Sequence, residues 1–563
     1  MKYNKLIILF FLLSSLAACK KLDSGLINPN SVDPSKANVD LLLNNAQLSF
    51  TGVYTTASDI GGQLTRQQIM YGPIYNNVYS PETFDGIWGS AYNGAIVNIN
   101  TLLPLALQQK KYMQAGMGQV LKAYILGTLV DYFGDIPNAE AGLGEMENLN
   151  PKADAGAAVY KNVIELLDSA IANFSKSGSA PGPPNDLFYG GSKAKWATAA
   201  KSLQLKFLMQ TRLVDAANVT AKATALMTAN DLINTSSGNF VFRYSTVNNA
   251  PDSRHPHYAA NYNNASTGSN SANDFIGSYF MWAVAVEKSG SGSVTSLDPR
   301  RRFYFYRQRT NYADVNSETC TCSIEPRPSH YSAEMPFCLV GAGYWGRDHG
   351  DNSGIPPDGN LRTTWGVYPA GGEFDASQGT SVNNTRGGKG AGIDPIWMSS
   401  YTSFLEAEAA LMLNITVAGT PRALLEKGIR SSIATVLAFP ATVSVIVPAA
   451  NIPSPAAIET YVAKVLENYD AAVSDAERLD IIMKEYYIAS WGNGIEAYNN
   501  YRRTGSPNNM QPVKSTPNPG FFLRSVFYPS VYVNRNINAP AQKDPGNVAN
   551  KVFWDNNPDN FIK

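Results

Sequence analysis

Several things are scarce in this chain, and each scarcity removes a class of function. Lys+Arg and Asp+Glu are equal at 45 each in 563 residues, so no basic excess exists to hold nucleic acid, and none is expected as a partner. Histidine and cysteine number only four apiece. Cys320-x-Cys322 does not have the spacing of the usual zinc knuckles. No G-x-S-x-G elbow and no phosphate-cradling loop is present: Gly387-Gly388-Lys389-Gly390 lacks the first glycine and the Ser/Thr such a loop needs. His255-x-His257 has no H-E-x-x-H context and is expected to be a loop pair rather than a metal site. Beyond the first residues, no apolar run is long enough to span a bilayer. Val443–Ala450 is short and contains Pro448.

The one strong apolar run is at the start. Lys2 and Lys5 precede Leu6 to Leu13, an unbroken LIILFFLL, followed by Ser14-Ser15-Leu16-Ala17-Ala18-Cys19. A permanent membrane helix needs roughly 20 apolar residues, and this run is far shorter. It has the layout of a secretory signal. Leu16-Ala17-Ala18-Cys19 resembles a bacterial lipobox, which implies cleavage after residue 18 and acylation of Cys19. Several acyl chains together make a stable anchor where one is marginal, at ~0.8 kcal/mol per buried CH₂. Residues 19–36 then read as a polar, lipidated tether with Gly25, Pro29 and Pro34. Outside the cytoplasm a disulfide from Cys338 to Cys320 or Cys322 is expected.

Helical period dominates two regions. In the first, 37–237, a helix is expected near Asn38–Ala57, with Asp33-Pro34 as its start signal. Phe84–Leu107 puts Trp88, Tyr92, Ile96, Ile99 and Leu103 on one face, and Tyr112–Phe133 follows after a short turn, so the two are expected antiparallel. Ala155–Phe174 and Lys193–Leu213 form a second such pair. In the other region, 396–503, Trp397–Leu413 is followed by helices opened by Thr420-Pro421, Ser454-Pro455 and the capping box Ser474–Glu477. Between them, residues 238–395 are rich in Gly, Asn, Ser, Pro and Tyr, and only Phe275–Val286 has the pattern of a short helix. Loop-rich stretches of this length are usually functional. Residues 504–563 read as an irregular tail. The fold class expected is mainly α: stacked, tetratricopeptide-like helical hairpins carrying a large loop-rich lobe.

Candidate binding residues follow from composition. Sugars offer C–H faces and hydroxyl edges, so their binders combine flat aromatics with amides and carboxylates. Tyr75-Asn76-Asn77-Val78-Tyr79 and His257-Tyr258-Ala259-Ala260-Asn261-Tyr262-Asn263-Asn264 have that make-up, marking Tyr75, Asn76, Tyr79, Tyr258 and Tyr262; Trp345 belongs to a third aromatic stretch, Tyr344–Asn352. Trp88, on a helical face, is expected in the core. Asp348, Asp351 and Asp358 offer hard oxygens for a Ca²⁺ ion, although Asp/Asn-Gly turn formation explains them more simply. Asp131 and Asp135, one turn apart, are expected to serve capping and turn formation around Gly134 and Pro137. No cofactor is expected.

Several stretches, in order, resemble one known family. They are Leu129-Val130-Asp131-Tyr132-Phe133-Gly134-Asp135-Ile136-Pro137 with Ala139-Glu140-Ala141; Asp186-Leu187-Phe188-Tyr189-Gly190-Gly191 with Trp196; Asp298-Pro299-Arg300; Phe404-Leu405-Glu406-Ala407-Glu408-Ala409; and Gly492-x-Gly494-Ile495-Glu496-Ala497-Tyr498 with Tyr501-Arg502-Arg503-Thr504-Gly505. With the lipobox, this set resembles the SusD/RagB-like nutrient-binding outer-membrane lipoproteins, in the SusD-like branch. The resemblance implies a cell-surface, lipid-anchored protein that covers a TonB-dependent SusC-like transporter and delivers oligosaccharide or peptide to it without catalysis. It also implies ligand contacts from the loop before the Trp88 helix and from the middle loops. A secreted glycoside hydrolase or peptidase, and a structural surface protein without ligand, are the alternatives.

Overall fold

The computed structural model describes residues 36–142, 148–177, 181–262, 274–289, 297–310, 325–352 and 362–562. Cys19, Cys320, Cys322, Asp358, Asn263 and Asn264 lie outside the described residues, as does Asp33-Pro34.

Helix α1 runs from Val39 to Leu64, and its cap is Asn38, whose side chain accepts from the backbone N–H groups of Asp40 and Leu41. The expected Phe84–Leu107 helix is a composite. A 3₁₀ turn at Pro81–Phe84 leads into Asp85–Trp88, then a π-helix at Gly89–Ile96, then α2 at Val97–Gln108. Helix α3 (Tyr112–Phe133) packs against α2 and, more extensively, α4 (Gly156–Ser175). Periodicity predicts one buried face for α3. Instead nearly every one of its residues is buried, because α1, α2, α4 and α5 (Lys193–Gln210) all press on it. Helix α6 (Ala216–Ala229) completes the first hairpin stack against α5.

The second stack is α7 (Ser399–Met412), α8 (Pro421–Thr442), α9 (Pro455–Ala471), α10 (Asp475–Ala489) and α11 (Gly494–Thr504). Thr420, Ser454 and Ser474 cap α8, α9 and α10 as expected, accepting from the N–H of Ala423, Ala457 and Glu477. The two ends of the chain meet where α11 crosses α1. A Cβ on Gly61 would sit 2.2 Å from the Gly494 carbonyl oxygen, and one on Gly494 would sit 2.1 Å from that of Ser58. Only glycine permits this backbone approach.

Among the described residues the intervening lobe holds three two-stranded antiparallel pairs, Phe240–Arg243 with Ile393–Trp397, Phe305–Arg307 with Thr363–Trp365, and Leu339–Gly341 with Tyr344–Trp345. Short helices at Pro256–Asn261, Ser278–Ala285 and Arg301–Tyr304 lie between them. The tail also contains a helix, Ser530–Arg535. Asp131 is neither a cap nor a turn residue. Its buried carboxylate accepts from Asn499 Nδ2 at 2.6 Å, Trp554 Nε1 at 2.9 Å and the Tyr160 hydroxyl, joining α3 to α4, α11 and the tail.

Candidate functional site

One of the stretches singled out by sequence, that beginning at His257, meets the end of α1 in space. After α1 ends, Arg66 adopts a positive φ of 66° and turns the chain. Gln67–Ile69 then runs beside Phe275–Gly277, with Ile69 N–H donating to the Phe275 carbonyl (3.0 Å) and Gly277 N–H to that of Gln67 (3.1 Å). This junction closes a cavity of about 230 Å³ lined by Asp59, Gln63, Gln68, His257, Asp274 and Phe275, among others.

The polar groups are tightly arranged. Asp59 and Gln63 are four residues apart on α1 and so share a face. The His255 side chain accepts from the His257 N–H, and Pro256 opens the helical turn that fixes His257 in place. His257 Nε2 is 2.9 Å from Asp59 Oδ1, and Nδ1 is 3.0 Å from Asp274 Oδ2. Burial works against a charge on His257, yet the two carboxylates lift its pKa to about 10, so it is an imidazolium at neutral pH. Burial alone would raise Asp274, but His257, Asn261 and Arg362 hold it below its ordinary value. The imidazolium lies flat on Trp365 (3.9 Å, 12°), Trp365 on Trp491 (3.9 Å, 19°), and Trp491 on Phe280 (4.8 Å, 22°). This stack sets the ring plane and adds a cation–π term. Tyr79, half-buried, donates its hydroxyl to Gln63 Oε1 at 2.8 Å and so orients that amide. The resulting cavity presents amide and carboxylate groups held by rigid elements, suited to a hydroxyl-rich group. Both carboxylates are committed to one imidazolium, which is not the arrangement of an acid and a base facing each other across a cleft.

Most of the aromatics chosen from sequence do not face outward. Tyr75 is 1% exposed. Its hydroxyl accepts from Arg66 Nη2 (3.0 Å) and meets His349 Nε2 (3.1 Å), while Phe522 packs edge-on to its ring. Tyr258 and Tyr262 are buried and stacked on each other at 4.3 Å, donating to the carbonyls of Arg386 and Trp365. Trp345 is buried beside Cys338, with its N–H donating to Thr363 Oγ1. None of these four rings offers a free face here. They are core: loops remote in sequence cover the three tyrosines, and Phe337 to Leu339 of its own hairpin pack on Trp345. Asn76 is exposed. Trp88 is buried, as expected.

Among the described residues no group of three or more His, Cys, Asp or Glu is placed to hold a metal. Asp348 accepts from Cys338 N–H (2.7 Å) and Gln511 Nε2 (2.8 Å), and burial raises its pKa to about 6. Asp351 instead pairs with Lys514 Nζ at 3.2 Å, which puts an ammonium beside the oxygen proposed for calcium. Cys338 is disulfide-bonded. Sequence reasoning missed Asp59, Gln63, Gln68 and Asp274. The i, i+4 spacing of Asp59 and Gln63 was the available signal. His257 heads a stretch of sugar-binding composition and belongs to a His-x-His pair, but neither pattern points to a carboxylate clamp.

Comparison with known proteins agrees with this architecture. A family model described as starch-binding and associating with the outer membrane matches residues 29–323, and a second, for SusD and RagB outer-membrane lipoproteins, matches 378–539. No curated protein matches the chain. Among solved structures, a SusD/RagB family protein from Bacteroides thetaiotaomicron is 16% identical, covering 93% of this chain and 100% of its own with a TM-score of 0.64. A chitin-binding SusD homologue from Flavobacterium johnsoniae is 18% identical over 92% of this chain and 100% of its own, with a TM-score of 0.61. A SusD homologue from Bacteroides uniformis is 17% identical over 93% and 100%, with a TM-score of 0.62. Among the described residues no helix is long and apolar enough to cross a membrane. Hairpin stacks, the loop-rich lobe between them, and two family models matched in order along the sequence place this chain in the SusD/RagB family of outer-membrane lipoproteins.

Proposed function

We propose that this protein is a lipid-anchored, cell-surface binder of nutrient oligosaccharides that passes its ligand, unaltered, to a TonB-dependent SusC-like transporter. The observation that carries this reading is the pair of family models matching 29–323 and 378–539, downstream of the Leu16–Cys19 lipobox. A structural relative being chitin-binding supports a glycan as the ligand class. The cavity under Gln63, Gln68 and Asp59 supports it independently, since it supplies amide and carboxylate partners of the kind hydroxyl groups need. At about 230 Å³ it falls below the ~300–1,000 Å³ of sites that enclose a whole drug-sized ligand, and so suits a single sugar unit of a longer chain. Tyr79, from the loop before the Trp88 helix, orients Gln63 at its wall.

Calorimetric titration with chito-, cello-, xylo- and malto-oligosaccharides tests this. One glycan class is expected to bind with micromolar affinity, about −8 kcal/mol, and chromatography of the recovered ligand should show no shortened product. Gln63→Ala is expected to weaken binding about tenfold, the cost of one or two hydrogen bonds. Release of cleaved product would replace the binder with a hydrolase. Failure of every glycan to bind would leave a peptide ligand or the ligand-free alternative. Purification of the lipidated protein in mild detergent is expected to bring a large β-barrel with it.

A further inference from the structure

The composite helix beside the tail forms a second cavity that the site above does not use. In the π-helix at Gly89–Ile96 the Val97 N–H reaches back to the Tyr92 carbonyl, one residue further than in an α-helix. Such wide turns are rare and concentrate at functional sites. Here the π segment contributes Tyr92 and Asn93 to a cavity of about 520 Å³, whose other walls include Trp88, Tyr532, Arg535 and Asn536. It shares no lining residue with the His257 cavity. Its far wall is the short helix Ser530–Arg535, pinned to the composite helix by Asp85, which accepts from Ser530 Oγ (2.7 Å) and Val531 N–H (3.0 Å). The cavity is therefore preformed.

Its chemistry is divided. The floor is aromatic: Trp88 lies 4.6 Å from both Tyr92 and Tyr532, and buried Phe133 backs Trp88 edge-on at 5.5 Å. The rim is polar and uncommitted. Asn93 and Arg535 are exposed and make no side-chain hydrogen bond or ion pair among the described residues. Tyr532 is 4% exposed, and its hydroxyl has no hydrogen-bond partner among the described residues. A buried hydroxyl left unpaired costs free energy that a ligand's own hydroxyl would recover. An aromatic floor with a few convergent donors and acceptors at the rim is the pattern that holds a pyranose ring.

We propose that this cavity is a second glycan subsite, taking one or two uncharged pyranose units with their C–H faces on the Trp88–Tyr92 wall and their hydroxyls on Asn93, Arg535 and Tyr532 Oη. This inference rests on the glycan-binding function proposed above and adds to it a separate place of contact. Buried rings packed edge to face separate the two cavities, Tyr79 on Phe84 (5.8 Å), Phe84 on Phe133 (5.7 Å) and Phe133 on Trp88 (5.5 Å).

Trisaccharides separate the sites. Chitotriose, cellotriose, xylotriose and maltotriose are titrated calorimetrically into the intact protein, into Asn93→Ala/Arg535→Ala, into Tyr532→Phe and into Gln63→Ala. For the trisaccharide that binds, two events are expected in the unaltered protein. The rim double variant is expected to lose one of them, and Tyr532→Phe to weaken the same one about tenfold. Gln63→Ala should weaken only the other. Both rim residues are exposed and Tyr532→Phe removes a single oxygen, so folding is retained. A single event, weakened by Gln63→Ala and unchanged in the rim and Tyr532 variants, would overturn the second subsite while leaving glycan binding in place. No heat with any trisaccharide would remove both.

Discussion

Arg300→Met is expected to lower the unfolding free energy by about 3–5 kcal/mol, the cost of breaking a buried ion pair from one side. Arg300 is fully buried. Its guanidinium donates to both oxygens of Asp298 (3.0 and 2.8 Å), to Glu485 Oε2 (3.2 Å), to the Tyr461 hydroxyl (2.9 Å) and to Ser432 Oγ (3.0 Å). These partners come from the lobe and from α8, α9 and α10, so one side chain fastens the irregular region to three helices. Methionine fills much of the volume but takes from buried Asp298 the guanidinium that meets both its oxygens, whereas Glu485 keeps Lys288 at 2.9 Å. Arg300→Lys should recover little, because an ammonium cannot reproduce the fork that meets both oxygens of Asp298. Adding Asp298→Asn to Arg300→Met should recover part of the loss by removing the stranded charge. Urea denaturation followed by tryptophan fluorescence checks this; a midpoint shift equivalent to less than about 1 kcal/mol would mean the network is weakly coupled to the fold.

This explains why Asp298-Pro299-Arg300 stands out in a loop. The Asp298 carboxylate accepts the Arg300 N–H as well as its side chain, so the tripeptide forms a compact unit that enters the core. Much of the helical scaffold could be read in the same local way. Thr420, Ser454 and Ser474 are caps because a short hydroxyl side chain beside an amphipathic run satisfies an N–H that the helix leaves unpaired. What local reading could not supply is which loop covers which. Tyr75, Tyr258 and Tyr262 sit among asparagines and look exposed for that reason. They are buried because Pro519, Phe522, Arg386 and Trp365 arrive from more than 100 residues away. The candidate site was hidden by the same non-locality. Asp59, on a helix end, and Asp274, in a loop, acquire their meaning only when His257 is held between them. The π-helix was equally invisible, since its sequence, GSAYNGAI, keeps the apolar spacing of an ordinary amphipathic helix.

The second large effect concerns that histidine and depends on pH. At pH 6.5 and below, His257→Ala is expected to cost about 3–5 kcal/mol of stability, because Asp274, nearly buried, and Asp59 would both lose the imidazolium between them. The sign of the pH dependence follows from the native value of about 10 against about 6.5 in an unfolded chain. Between those limits the folded protein holds a proton that the unfolded chain has lost. Stability therefore falls as pH rises, by about 1.4 kcal/mol per unit for this group. The contribution is complete below pH ~6.5 and is lost as the pH passes through about 10. The gap between the unaltered protein and His257→Ala should thus narrow steadily across that range and nearly close above it. In the NMR spectrum the His257 ring protons should hold a constant shift from pH 5 to 8.5. A titration of that ring centred near 6.5, with no narrowing of the stability gap, would show that the two carboxylates do not clamp an imidazolium. The same clamp fixes Asp59 at the cavity wall, so glycan affinity should stay level through neutral pH and decline only where the imidazolium begins to lose its proton.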